Sequence, residues 1–151
     1  MFEHLRKLLR QSSERAAPSS AEDEQRLAAA VLLLEVARAD YAHEPAERAT
    51  LRAGLAREFK VPESALDALL GQAEQRAQHS VSLFDFVQTL NRTMSQEQKK
   101  GLLSLLWEVA HADGRVDPNE EHLLRRIADL LHLSHADFIR GKLDATGKKT
   151  P

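Results

Sequence analysis

Apolar residues recur along this chain at three- and four-residue steps, the spacing that lines one face of a helix. Leu27, Val31, Leu34 and Ala37 form one such stripe, and Leu51, Leu55 and Phe59 begin the next. Leu66, Leu69, Leu70 and Ala73 give a third; Leu83, Phe84, Phe86, Val87 and Leu90 give a fourth. The richest is Leu102, Leu103, Leu105, Leu106, Val109 and Ala110, followed by Leu123, Leu124, Ile127, Ala128, Leu130 and Leu131. Phe138, Ile139 and Leu143 predict a short last helix. Alternating runs of the kind that mark strands are too short to count. The chain reads as all-α, a single compact bundle of about seven helices.

Polar residues punctuate these stripes. Ser95 and Gln98 have the spacing of a capping box, in which a hydroxyl satisfies an early amide and the glutamine reaches back. Ser82 with Asp85, and Ser134 with Asp137, repeat that spacing with a shorter acid. Pro62 and Pro118 suit the first turn of a helix, where a missing amide hydrogen costs nothing. Gln11 to Ser20 is rich in serine and reads as a linker. Three regions follow: an amphipathic N-terminal helix plus linker over 1–20, a helical domain over 21–146, and a polar tail over 147–151. In the first, Phe2, Leu5, Leu8 and Leu9 share one helical face, with Arg6, Lys7 and Arg10 elsewhere. Packing on the domain or on a second copy is the expected use, ahead of contact with a membrane surface through residues 2–10.

One stretch occurs twice. Glu108-Val-Ala-His-Ala-Asp-Gly-Arg-Val-Asp-Pro-Asn-Glu-Glu121 has an earlier, weaker copy in Glu35-Val-Ala-Arg-Ala-Asp-Tyr-Ala-His-Glu-Pro-Ala-Glu-Arg48. The offset is 73 from Glu35 to Glu108 and again from Glu47 to Glu120 (108 − 35 and 120 − 47). Beyond it Leu55 matches Ile127, Phe59 matches Leu131 and Val61 matches Leu133, each 72 positions on. Two pseudo-repeated helical units are therefore expected. Since a solenoid needs three or more, they should close on each other.

Length and composition narrow the chemistry. At 151 residues one domain can bury roughly two-thirds of the surface its unfolded chain exposes. A net charge of −2 gives no global reason to bind nucleic acid or anionic lipid, so no nucleic-acid partner is expected. The absence of cysteine excludes disulfides, thiolate metal sites and cysteine nucleophiles. No apolar run reaches the ~20 residues that span a bilayer, and the N-terminus lacks the apolar core of a secretory signal. A cytoplasmic protein is the expectation.

Candidate chemistry gathers at the duplicated acidic corner. Gly114 stands where the preceding stripe stops, and glycine ends helices readily in the left-handed conformation. Asp117, Pro118 and Glu120 then read as N-cap, first residue and third residue of the next helix. Every residue of the motif thus has a structural use. The functional alternative is that Asp113, Asp117 and Glu120 converge on a hard cation, Ca²⁺ or Mg²⁺, or on a basic partner. The spacing departs from a calcium-binding EF-hand loop, and three carboxylates leave coordination places to water or backbone. Asp40, Glu44 and Glu47 are the weaker equivalents, with Tyr41 where the second corner has glycine.

An alternative of another class is a metal-dependent enzyme using Glu108, His111 and Asp113, although i, i+3 and i+5 spacing spreads them around a turn. His132 and His135 have no nearby acid to complete a zinc triad. Phosphate cradles and nucleophile elbows are missing. Arg125-Arg126, Lys99-Lys100 and Lys148-Lys149 read as solvated basic pairs, and Trp107 as core or groove wall.

The second corner with its flanking helices, Leu-Leu-Trp-Glu-Val-Ala-His-Ala-Asp-Gly-Arg-Val-Asp-Pro-Asn-Glu-Glu-His-Leu-Leu-Arg-Arg-Ile-Ala-Asp-Leu-Leu, resembles the TerB-like family of tellurite-resistance proteins and co-chaperone N-terminal domains. The resemblance spans roughly Glu24 to Ala145 and departs from the family pattern at Tyr41. It implies an all-helical domain of pseudo-repeated helices with an acidic surface site proposed to bind metal, linked to tellurite and stress responses. Asp113, Asp117 and Glu120 are the residues it carries over. The expected function is a non-catalytic binding or scaffold domain with protein partners; a homodimer formed through the N-terminal helix is a third reading.

Overall fold

The uninterrupted apolar run Leu27–Leu34 becomes the centre of the molecule. It lies in α1 (Ala21–Arg38), where all eight residues of the run are buried along with Val36 and Ala37. Sequence periodicity predicts a stripe here, but the helix is apolar all round, and such a helix is stable only when enclosed. Five other helices enclose it. They are α2 (Pro45–Glu58), α3 (Glu63–Gln78), α4 (Leu83–Thr93), α5 (Gln96–Ala110) and α6 (Pro118–Leu130); α7 (His135–Thr146) completes the bundle against α5. The structure, a computed structural model, describes residues 21–38, 45–78, 83–112 and 116–146. Among the described residues there are seven helices and no strand, an all-α bundle. The predicted N-terminal helix, the linker, the polar tail and the Ser82 cap lie outside them.

The second central helix is α5. Leu102, Leu103, Leu105, Leu106, Trp107, Val109 and Ala110 are all buried, and α5 touches α1, α2, α6 and α7. Trp107 is core, with no exposed surface, and packs its ring 5.0 Å from that of Phe138. Its approach to α7 depends on Gly141, whose missing Cβ would stand 3.0 Å from Trp107 Cδ1. The seated face of α7 therefore runs through Phe138 and Gly141 toward Ala145, while Ile139 and Leu143 stay 37% and 40% exposed. The predicted last helix is present, and its seated face is set by a residue the pattern could not weigh: glycine carries no hydrophobic signal, yet it decides which face can come close.

Local signals hold well. The Ser95–Gln98 capping box forms in both directions, and so does its Ser134–Asp137 counterpart, at 3.2 and 3.1 Å. Pro62 stands one residue before α3 rather than in its first turn, and its carbonyl accepts from Ala65 N–H at 2.9 Å. The basic pair Lys99-Lys100 divides: Lys99 is buried, its aliphatic stem covering core, while Lys100 pairs with Glu97 and Asp137. Arg125 lies over the Phe138 ring, 4.9 Å from its centre.

The two non-glycine residues with positive φ among the described residues are Lys60 (54°) and His132 (63°). They stand 72 positions apart (132 − 60), the offset at which the sequence repeats after its corner. Each follows the end of a helix, after α2 and after α6. The duplication itself is an inference from sequence.

Candidate functional site

The second corner joins the two helices that the sequence assigns to it, but it opens earlier than expected. α5 ends at Ala110, with His111 N–H donating to Trp107 O at 2.9 Å and Ala112 N–H to Val109 O at 3.3 Å. The helix has therefore ended before Gly114 is reached, because Ala110 is the last side chain that the core holds. Residues 113–115, with Asp113 and Gly114 among them, lie outside the described residues.

On the far side the corner is well defined. Asp117 is extended (φ −67°, ψ 141°) and caps α6, its Oδ1 accepting from Asn119 N–H at 2.7 Å. Pro118 is the first helical residue, and Glu120 Oε1 accepts from Asp117 N–H at 3.1 Å. The capping box read from the sequence is thus present in full. What the sequence did not signal is depth: Glu120 has no exposed surface, whereas Asp117 is half-buried. A carboxylate held out of water requires hydrogen bonds or positive charge around it. Each oxygen already accepting one N–H retains a further lone pair. The donors are hard oxygens, which suit Ca²⁺ or Mg²⁺ rather than a soft metal. Asp117 and Glu120 therefore fit such a cation chemically. Among the described residues, no three histidine or carboxylate side chains come together as a metal-holding group.

The first corner is described only at its edges. α1 ends at Arg38 and α2 begins at Pro45, which opens its helix as Pro118 opens α6. Asp40 and Glu44, and the side chain of Glu47, lie outside the described residues.

Glu108 and His111, proposed together for a metal-dependent enzyme, are not bonded to each other. Glu108 Oε2 accepts from the Arg57 guanidinium at 3.0 Å, across the contact between α5 and α2. That hydrogen bond, helped by Glu58, holds Arg57 above its ordinary pKa. His111 Nδ1 is buried with no hydrogen-bond partner among the described residues. Arg57 was absent from the sequence reading because nothing local ties it to a residue 51 positions away.

No described helix is long and apolar enough to cross a membrane. Compared with known families, residues 26–143 match the family model described as Tellurite resistance protein TerB. No curated protein and no solved structure matches the chain.

Proposed function

Because the chain belongs to the TerB family, matched over residues 26–143, we propose that it is a non-catalytic cytoplasmic binding domain whose second corner takes a divalent cation. Asp117 and Glu120 would hold the ion, with Asp113 as the third carboxylate. Full burial of Glu120 beside the Asp117 cap is the observation that carries this reading, because it sets a carboxylate in a fixed, dry position at a helix start. When bound, the cation would supply positive charge there and tie the loop to α6. A protein partner, and the response to tellurite that the family description names, belong to the same proposal.

Two carboxylates from one helix turn and one from a loop make a sparse site. Affinity for Ca²⁺ or Mg²⁺ should therefore fall at the weak end of calcium loops, about 10⁻⁴–10⁻³ M. Calorimetric titration of Ca²⁺ and Mg²⁺ into chelator-treated protein should give saturable heat that is lost in Asp113→Asn. Absence of heat with both ions, or identical heat in the variant, rejects the cation. The enzyme alternative has nothing in its favour at Glu108, whose carboxylate Arg57 engages.

A further inference from the structure

A cleft of about 420 Å³ opens where the start of α1, the end of α2 and the first half of α5 meet. Phe59, Met94 and Gly101 line it, and so do the exposed carboxylates Glu22, Glu58 and Glu97. Gly101 lies inside α5, where glycine weakens a helix, and a Cβ built there would meet nothing within 4 Å. Packing among the described residues makes no use of its missing side chain. Bare helix backbone on a cleft wall instead admits the close approach of another chain. Gly71 is equally open, but it does not line this cleft.

We propose that residues 2–10 of this same chain seat on that cleft, with the face formed by Phe2, Leu5, Leu8 and Leu9 turned toward Phe59, Met94 and Gly101. Tethering selects this occupant. Glu22 is the second residue of α1 and lines the cleft, so the preceding segment is attached at its edge. Behaving as a flexible chain, the ten residues 11–20 would cover about 16–19 Å on average, which would put residues 2–10 at an effective concentration in the mM range.

Charge agrees with the tether. Arg6, Lys7 and Arg10 would face Glu22, Glu58 and Glu97. Glu58 and Glu97 now meet Arg57 at 3.0 Å and Lys100 at 3.4 Å, in exposed pairs that exchange at little cost. Of the two cations on the cleft, Arg26 is turned to the Phe59 carbonyl at 3.0 Å and to Asp23 at 3.8 Å. Lys60, the other, would meet the acid Glu3 of the same segment.

The chain has no cysteine, so His4→Cys accepts a single nitroxide label in the full-length protein. Amide signals of Phe59, Met94 and Gly101 should broaden in the labelled, ¹⁵N-enriched chain, with no change on dilution. Mixing labelled chains with unlabelled ¹⁵N chains should leave them sharp. In Gly101→Gln the added Cβ meets nothing within 4 Å, so helical content should hold while the broadening disappears. Broadening in the mixed sample would assign the cleft to a second copy and overturn the proposal. So would broadening centred on Ile139 and Leu143, broadening that persists in Gly101→Gln, or none at all.

Discussion

At the start of α7, Ser134 and Asp137 exchange hydrogen bonds across three positions, and the carboxylate gains the most from the exchange. The Ser134 N–H lowers the Asp137 pKa, assisted by the Ser134 hydroxyl and by the charges of Lys100 and Arg140, against a smaller opposing effect of desolvation. A folded-state pKa below the unfolded one stabilises the fold when the group is ionised. That contribution is complete above the unfolded value and is lost as pH falls through the folded one. Carboxyl-carbon NMR should accordingly place Asp137 below an ordinary aspartate. Asp137→Asn should flatten the acid-side loss of stability measured by urea unfolding. An aspartate titrating at or above its usual value would contradict this account. Caps of this kind are legible in the sequence because donor and acceptor are three residues apart. The burial of Glu120 is not, since it depends on what α6 is pressed against.

Between elements, contact distance is set at glycines. Gly54 on α2 faces α5 so closely that a Cβ would lie 2.2 Å from Leu105 Cδ1, and Leu105 is itself buried. Gly54→Ala should gain ~1 kcal/mol of helix propensity yet lose more to overpacking, for a net destabilisation of about 1–2 kcal/mol. Gly71→Ala meets nothing within 4 Å and should stabilise instead, by about 0.5–1 kcal/mol. Denaturant midpoints of the two variants should therefore move in opposite directions; a shift of the same sign in both would refute the packing assignment. Neither glycine is distinguishable from the other in the sequence. Nor does the sequence tell that Ile139 and Leu143 stay exposed on a helix whose seated face runs through Phe138 and Gly141.

For the molecule as a whole, α1 and α5 share one core with every other helix around them. That arrangement predicts a single cooperative transition even if the chain arose by duplication, because neither half can bury α1 or α5 alone. Trp107, the only tryptophan and fully buried, reports on this directly. Its emission and the helical circular dichroism should follow one urea curve, and two separated curves would mean that the halves unfold independently.

The all-α class, the seven helices of the described residues and the Ser95, Asp117 and Ser134 caps were legible in the sequence, because each rests on periodicity or on contacts a few residues apart. The family was legible as a resemblance carried by the second corner and its flanking helices. Tertiary structure decided the rest. It made α1 central, buried Glu120 and Lys99, gave Glu108 to Arg57, and opened a cleft beside Gly101. All of these join residues from different helices, and no local pattern encodes which faces will meet.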